Sequence, residues 1–160
     1  MQIRPAEPAD APAIAGIILP VIRAGETYAL DPGMSEEAAL AYWLGPDRAT
    51  FVAEDKGTIL GTYYLRANQP GGGSHVGNCG YMTAARASGR GVARAMATHS
   101  FAEAAARGFR ALQFNFVVSS NHRAVRLWEQ LGFATVGRLP GAFRHPALGY
   151  VDALVMFRGL

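Results

Sequence analysis

The sequence predicts a mixed α/β (α+β) fold, with one largely antiparallel sheet flanked by about four helices. Three observations carry this. Apolar residues recur at helical spacing in four segments and alternate in short strand-like runs between them. The helices fall among the strands without strict alternation, which argues for a mixed sheet rather than a doubly wound parallel one. The chain has 160 residues, 50% hydrophobic and 17% charged, without repeat, linker or low-complexity tract. It is therefore read as one domain spanning residues 1–160.

Gln2 to Pro5 reads as a short first strand. Ala9 to Ala24 reads as a helix, with Ile14, Ile17, Ile18, Val21 and Ile22 on one face and Asp10 near its start. Pro20 is expected to bend it or end its regular part. The loop GETYALDPGM leads to a second helix opened by Ser35, with Leu40, Trp43 and Leu44 as its buried face. TFVAEDK and TILGTYYLR form a hairpin around Asp55-Lys56-Gly57. After the loop NQPGGGSH a strand runs to about Met82, where Gly77 and Gly80 suggest a bulge or a close backbone approach. Gly89 to about Arg107 is a helix with Val92, Ala95, Met96, His99 and Ala102 inward, closed by Gly108. ALQFNFVV is a strand, NHRAVRLWEQLG a helix ending on Gly132, FATVGRL a strand, PGAFRHPALG a loop and YVDALVMF the last strand.

Composition excludes several function classes. No stretch reaches the roughly 20 apolar residues of a membrane helix. The run from Ala13 is broken by Pro20 and lacks a basic leader, so a cytoplasmic protein without membrane contact is expected. Cys79 is the single cysteine; between glycines in a strand, it reads as a small core residue. The net charge of +3 carries no long basic run. Arg86, Arg90 and Arg94 are spaced by four along a helix start and suit an anionic ligand. No aromatic platform accompanies them, so nucleic acid is not expected as a partner. The histidines His75, His99, His122 and His145 show no metal spacing, and no metal is expected.

The segment YMTAARASGRGVARAM carries the chemistry. A strand feeds a glycine-rich turn and then a helix, and the free N–H groups of such a turn bind anions. A dinucleotide GxGxxG is absent, since Val92-Ala93-Arg94 follows Gly91, and no Gly-Lys-Ser/Thr follows. A purely structural turn is the alternative.

Arg86-x-x-Gly89-x-Gly91 after a strand resembles the acyl-CoA signature of the GCN5-related N-acetyltransferase (GNAT) family. Asn121-x-x-Ala124-x-x-x-Trp128-Glu-Gln-Leu-Gly132-Phe133 resembles that family's second signature. The resemblance covers nearly the whole chain. It implies a sheet splayed into a V-shaped slot and acetyl-CoA as cosubstrate. It further implies transfer of the acetyl group to a small-molecule amine by direct attack. The pantetheine arm would pair with backbone near Tyr81, Met82 and Thr83, and the pyrophosphate would sit on the Ser88, Gly89, Arg90, Gly91, Val92, Ala93 turn with Arg86 nearby. Asn121 would reach the arm, and a backbone N–H at Met82 would face the thioester oxygen.

Trp128 departs from the family, which often has a tyrosine acid there. Indole does not release a proton near neutral pH. The acid is then absent, or water, or another residue such as Tyr81. Glu26, in the loop after the first helix, is the first candidate for meeting the acceptor amine, with a solvated glutamate as the alternative. Asn115 lies mid-strand, where Asn is disfavoured, alternating with Phe114 and Phe116. It is expected to be a buried amide bound to an acceptor carboxylate or to backbone. Glu26, Tyr81 and Asn115 are thus the catalytic candidates, and Glu26, Thr27 and Asn115 the acceptor-binding ones.

FNFVVSSNHRAVRLWEQLGF, VGRLPGAF and YVDAL are similar to the branch of the family that acetylates azetidine-2-carboxylate, a proline analogue, in yeast. That favours an amino or imino acid acceptor. The rivals are a polyamine or aminoglycoside acceptor, suggested by Glu26, Asp31, Glu36, Glu37 and Asp47, and an idle acyl-CoA sensor. The sequence leaves a homodimer open.

Overall fold

The computed structural model describes residues 1–160. Its strands and helices are β1 (Gln2–Pro5), α1 (Ala11–Ala24), α2 (Glu36–Trp43), β2 (Ala49–Asp55), β3 (Thr58–Ala67), β4 (Val76–Thr83), α3 (Val92–Ala106), β5 (Ala111–Val118), α4 (His122–Gln130), β6 (Ala134–His145) and β7 (Gly149–Gly159). One seven-stranded sheet has the order β1-β2-β3-β4-β5-β7-β6. Every pairing is antiparallel except β4 with β5.

The start of α1 is tied to β1 by charge. The buried Asp10 carboxylate accepts from Arg4 Nη1 at 2.8 Å and Nη2 at 3.0 Å, and from the Glu7 N–H at 2.7 Å. Pro20 does not end α1, which continues to Ala24 and closes on Gly25 at φ 63°. The proline removes one backbone hydrogen bond, but burial of Ile14, Ile17, Ile18 and Ile22 on both sides of it holds the helix. In α2, Ser35 Oγ accepts from the Ala38 N–H at 3.0 Å, the expected cap. Its buried face is Ala39 and Trp43. Leu40 is half-buried and Leu44 is exposed beyond the helix end. Trp43 Nε1 donates to the buried Thr62 Oγ1 at 2.9 Å, which fixes α2 on the sheet.

The β2–β3 turn has positive φ at Lys56 (48°) and Gly57 (78°), as a tight hairpin requires. β3 and β4 pair without a bulge, so the β4 glycines mark close packing instead. A Cβ on Gly80 would lie 2.6 Å from the Tyr64 ring, and one on Gly77 2.8 Å from Leu112 Cδ2. The inward face of α3 is Val92, Met96, Ala97, Ser100 and Ala104. Ala102 is exposed and Ala95 and His99 are only half-buried, because the buried stripe steps by four through Val92, Met96, Ser100 and Ala104.

Of the segment PGAFRHPALG, expected as a loop, only Pro146 to Leu148 form a turn. β6 runs through it to His145. Pro140 and Gly141 lie in a register shift between Leu139 and Phe143, and the Gly141 N–H donates to Asp152 Oδ1 at 2.9 Å. A bulge tolerates a proline without N–H and a glycine at φ 58°, so the two residues bend the ribbon without ending it.

The functional consequence of the topology lies at β4 and β5. They pair only at Val76↔Ala111 and Gly77↔Leu112. Beyond Gly77 the two strands part, leaving the rest of β4 without a neighbour on that side.

Candidate active site

The register identifies which backbone groups face the gap. The Ala84 N–H donates to Leu60 O at 2.8 Å, and the pairing runs unbroken from there. Antiparallel pairs alternate between hydrogen-bonded and non-hydrogen-bonded. Thr62↔Met82 and Tyr64↔Gly80 therefore exchange their backbone bonds, while Gly61↔Thr83, Tyr63↔Tyr81 and Leu65↔Cys79 do not. The N–H and C=O of Cys79, Tyr81 and Thr83 point into the gap. Those of Met82 point to β3, and its side chain is buried, so a Met82 N–H is not offered to a ligand. At Tyr81 both groups are already engaged: its N–H donates to Tyr28 Oη at 2.8 Å, and Tyr28 Oη donates to its carbonyl at 3.0 Å.

A cleft of about 660 Å³ opens from this gap toward the α3 and α4 N-termini. Its walls include Tyr81, Thr83, Ser88, Gly89, the Gly91 to Ala93 helix start, Asn121, Ala124 and Trp128. Gly89 and Gly91 sit at φ 80° and 77°, a conformation that favours glycine, and a Cβ on Gly91 would meet nothing within 4 Å. The first intrahelical bond of α3 is Ala95 N–H to Gly91 O, and no side chain caps the helix. The N–H groups of Val92, Ala93 and Arg94 are thus left for an anion.

The basic residues around this turn differ from expectation. Arg86 lies in a short 3-10 turn and donates to Ile59 O at 3.0 Å, and Arg90 pairs with Asp55 at 3.3 Å. Neither lines the cleft, because the two left-handed glycines break the helical stripe that the spacing of four would make. Arg94 does line it, joined by Arg123 and Arg126 from α4. Arg123 Nη1 donates to Ser88 Oγ and Arg94 Nη2 to Gln130 Oε1, bridging the two walls. Arg123 and Arg126 escape a sequence reading centred on the turn; their spacing from Asn121 on an amphipathic helix was the available signal.

A second cleft of about 250 Å³ lies on the other side and shares Tyr81, Asn121, Ala124 and Trp128 with the first. Thr27, Tyr28, Tyr42, Tyr64, Arg66, Asn78 and Asn115 contribute to its wall. Glu26 is exposed and outside it. Asn115 is on the wall but is exposed, not a buried core amide. A register shift between Phe114 and Val117 breaks the alternation there. Its Oδ1 accepts from Gln113 Nε2 at 2.9 Å and its Nδ2 donates to Asn68 Oδ1 at 2.6 Å.

Asn121 caps α4, its Oδ1 accepting from the Ala124 N–H at 3.3 Å. Trp128 is buried among aromatic rings, 4.9 Å from Phe114 and 5.1 Å from Tyr81, and its indole N–H makes no hydrogen bond within the protein. The Tyr81 hydroxyl turns into the core to Ser100 Oγ at 2.7 Å, and burial pushes its pKa well up. It is therefore not placed as an acid facing either cleft. Burial also pushes the Cys79 thiol up to about 12, which leaves it protonated and not a nucleophile.

This arrangement has relatives. A model of the acetyltransferase (GNAT) family matches residues 21–133. The N-acetyltransferase aca1 of Schizosaccharomyces pombe is 30% identical over 151 residues, covering 84% of this chain and 72% of that protein. A GCN5-related N-acetyltransferase from Kribbella flavida superposes with a TM-score of 0.95 at 47% identity, over 99% of this chain and 97% of that one. A phosphinothricin acetyltransferase from Sinorhizobium meliloti, solved in complex with acetyl-CoA, shares the fold with a TM-score of 0.86 at 22% identity, over 99% and 88% of the two chains. The chain belongs to the GNAT family of acetyl-CoA-dependent N-acetyltransferases.

Proposed function

We propose that this chain moves the acetyl group of acetyl-CoA onto the amine of a small amino or imino acid, in a site spanning the two clefts. One observation carries the reading: the clefts share a wall at Tyr81 and Trp128, where β4 and β5 part. One suits the acyl donor, the other the acceptor.

The donor cleft fits acetyl-CoA. Its turn offers unpaired N–H groups and open glycines to phosphates, with Arg94, Arg123 and Arg126 adding charge. The free edge of β4 offers the Thr83 backbone to an amide-bearing arm, as an added strand would use it. Acetyl-CoA supplies the activated acetyl group. The acceptor nitrogen must arrive neutral. It forms the C–N bond as the C–S bond breaks, and the thiolate leaves as a fair leaving group, near pKa 8.5 by analogy with cysteine. No Asp or Glu lines the acceptor cleft, so the amine proton passes to water.

The same absence favours an acceptor bearing a carboxylate over a polyamine or aminoglycoside, whose several cations want acidic partners. A thiol-release screen with acetyl-CoA over amino acids, imino acids, spermidine and kanamycin tests the reading. Turnover confined to the amino or imino acids is expected. Turnover confined to the polycations would replace this reading, and no release with any amine would favour a sensor.

A further inference from the structure

We infer that Arg66 is the specificity-determining residue of the acceptor cleft and takes the acceptor's carboxylate; the inference rests on the amino-acid reading above. Among the residues lining that cleft, Arg66 is the one with a formal charge. Its guanidinium is only partly satisfied. Nε is buried with no hydrogen-bond partner, so the protein leaves this charged group under-satisfied, while the side chain as a whole is 31% exposed and can offer its outer N–H groups to a ligand. The nearest carboxylate, Asp47 Oδ2, stands 3.6 Å from Nη1, beyond a good hydrogen bond. Asp47 is itself more closely held by Arg48 Nε at 2.9 Å.

Arg48 strengthens the argument. Its guanidinium lies over the Tyr42 ring at 4.8 Å and the Tyr64 ring at 4.7 Å, the two rings that wall the cleft. Its Nη1 is also buried and unpartnered. Two arginines thus share one half-exposed aspartate, and the region behind the cleft keeps a net positive charge. An incoming carboxylate would be its missing counter-charge, while a second ammonium on the acceptor would be repelled.

The sheet fixes where the guanidinium works. Arg66 pairs directly with Asn78 across β3 and β4, so both side chains leave the same face toward the cleft. Asn78 is held by its own bond to Gln113 O at 2.9 Å, leaving its amide a fixed neighbour. A guanidinium presents parallel N–H donors that match the two oxygens of a carboxylate, which a lysine ammonium does not. An α-carboxylate held there leaves the amine one carbon away, within the cleft that Trp128 and Tyr81 also line.

The test compares acids with their carboxamides. kcat/KM is measured for azetidine-2-carboxylate against azetidine-2-carboxamide, and for L-proline against prolinamide, by thiol release from acetyl-CoA. Wild type should prefer the acid by roughly ten- to hundredfold, the range for a hydrogen bond to a charged group. In Arg66→Leu that ratio should collapse toward one, mainly through the acid. Arg66→Lys should recover part of it. Acetyl-CoA affinity, measured by calorimetry, should be kept in both variants and certifies their fold. An unchanged acid-to-amide ratio in folded Arg66→Leu or Arg66→Lys would overturn the role of Arg66 while leaving the amino-acid reading intact. Wild type that uses the carboxamides or spermidine as well as the acids would overturn that reading, and Arg66 with it, without any variant.

Discussion

Trp128 forms part of the wall between the two clefts, so its replacement separates packing from chemistry. The side chain is buried and rests on Phe114, Tyr81 and Phe133 at ring distances of 4.9, 5.1 and 6.1 Å. An aromatic side chain buries about 150–250 Å², worth about 4–6 kcal/mol at 25 cal/mol per Å². Aromatic-to-alanine changes in cores cost about 3–5 kcal/mol. The hole left here would open into both clefts and admit water, so the lower end applies to Trp128→Ala. For a chain of this size each kcal/mol lowers the melting temperature by about 2–4 °C, giving a fall of roughly 6–12 °C. Trp128→Phe keeps one ring on Phe114 and should lose about 1 kcal/mol. Because the indole N–H holds no partner in the protein, its kcat should fall by less than tenfold, below the roughly hundredfold that loss of an acid–base group costs. Calorimetry, thermal unfolding and thiol release on the two variants decide it. A Trp128→Phe protein with unchanged acetyl-CoA affinity and melting temperature but a kcat at least about a hundredfold lower would show that the indole N–H takes part in the chemistry.

Other perturbations follow from the same geometry. Gly80→Ala places a methyl group 2.6 Å from the Tyr64 ring, which is wedged against Trp43 at 4.9 Å, and should cost about 1–3 kcal/mol in urea unfolding while disturbing the acceptor cleft. Arg123→Gln with Arg126→Gln should weaken acetyl-CoA binding several-fold at low salt and flatten its salt dependence, seen by calorimetry at two ionic strengths. The Arg4 guanidinium holds the Asp10 carboxyl below its ordinary value of 3.8. The folded form therefore gains stability above that value and loses it as pH falls through the lowered one. Asp10→Asn should lower the melting temperature at pH 7 and remove that component of the acid sensitivity, checked by melting wild type and variant from pH 7 to pH 3.

What the sequence made legible was local. The Ser35 cap, the Lys56-Gly57 turn and the glycine turn before α3 depend on a few neighbouring residues, and the structure has each where the residues imply it. The family resemblance implied the splay of β4 from β5, which local pattern does not encode. What escaped was long-range. Whether Met82 or its neighbours face the gap depends on pairing parity with β3, and one residue of register reverses the answer. The Tyr28 hydroxyl on the Tyr81 backbone joins positions 53 residues apart, in a loop without periodicity. Asn115, placed mid-strand, is expected as a buried amide, but it lies exposed beside a register shift. Pro140-Gly141 in sequence points to a strand end, although the same two residues serve a bulge equally well. Arg66 carried no signal because its meaning lies in the partners it lacks.

On the proposed reading, acetyl-CoA binds on the Ser88 to Ala93 turn at the mouth of the splayed strands. Calorimetric titration of acetyl-CoA into wild type, Gly91→Ala and Gly91→Glu tests this placement. Gly91 has open space around a would-be Cβ but a φ of 77°, so alanine reports the backbone strain and glutamate adds a negative charge among the phosphates. Single-site binding to wild type is expected, weakened modestly in Gly91→Ala and by at least about tenfold more in a folded Gly91→Glu, the equivalent of 1.4 kcal/mol. Equal affinity in Gly91→Ala and Gly91→Glu would place the phosphates elsewhere.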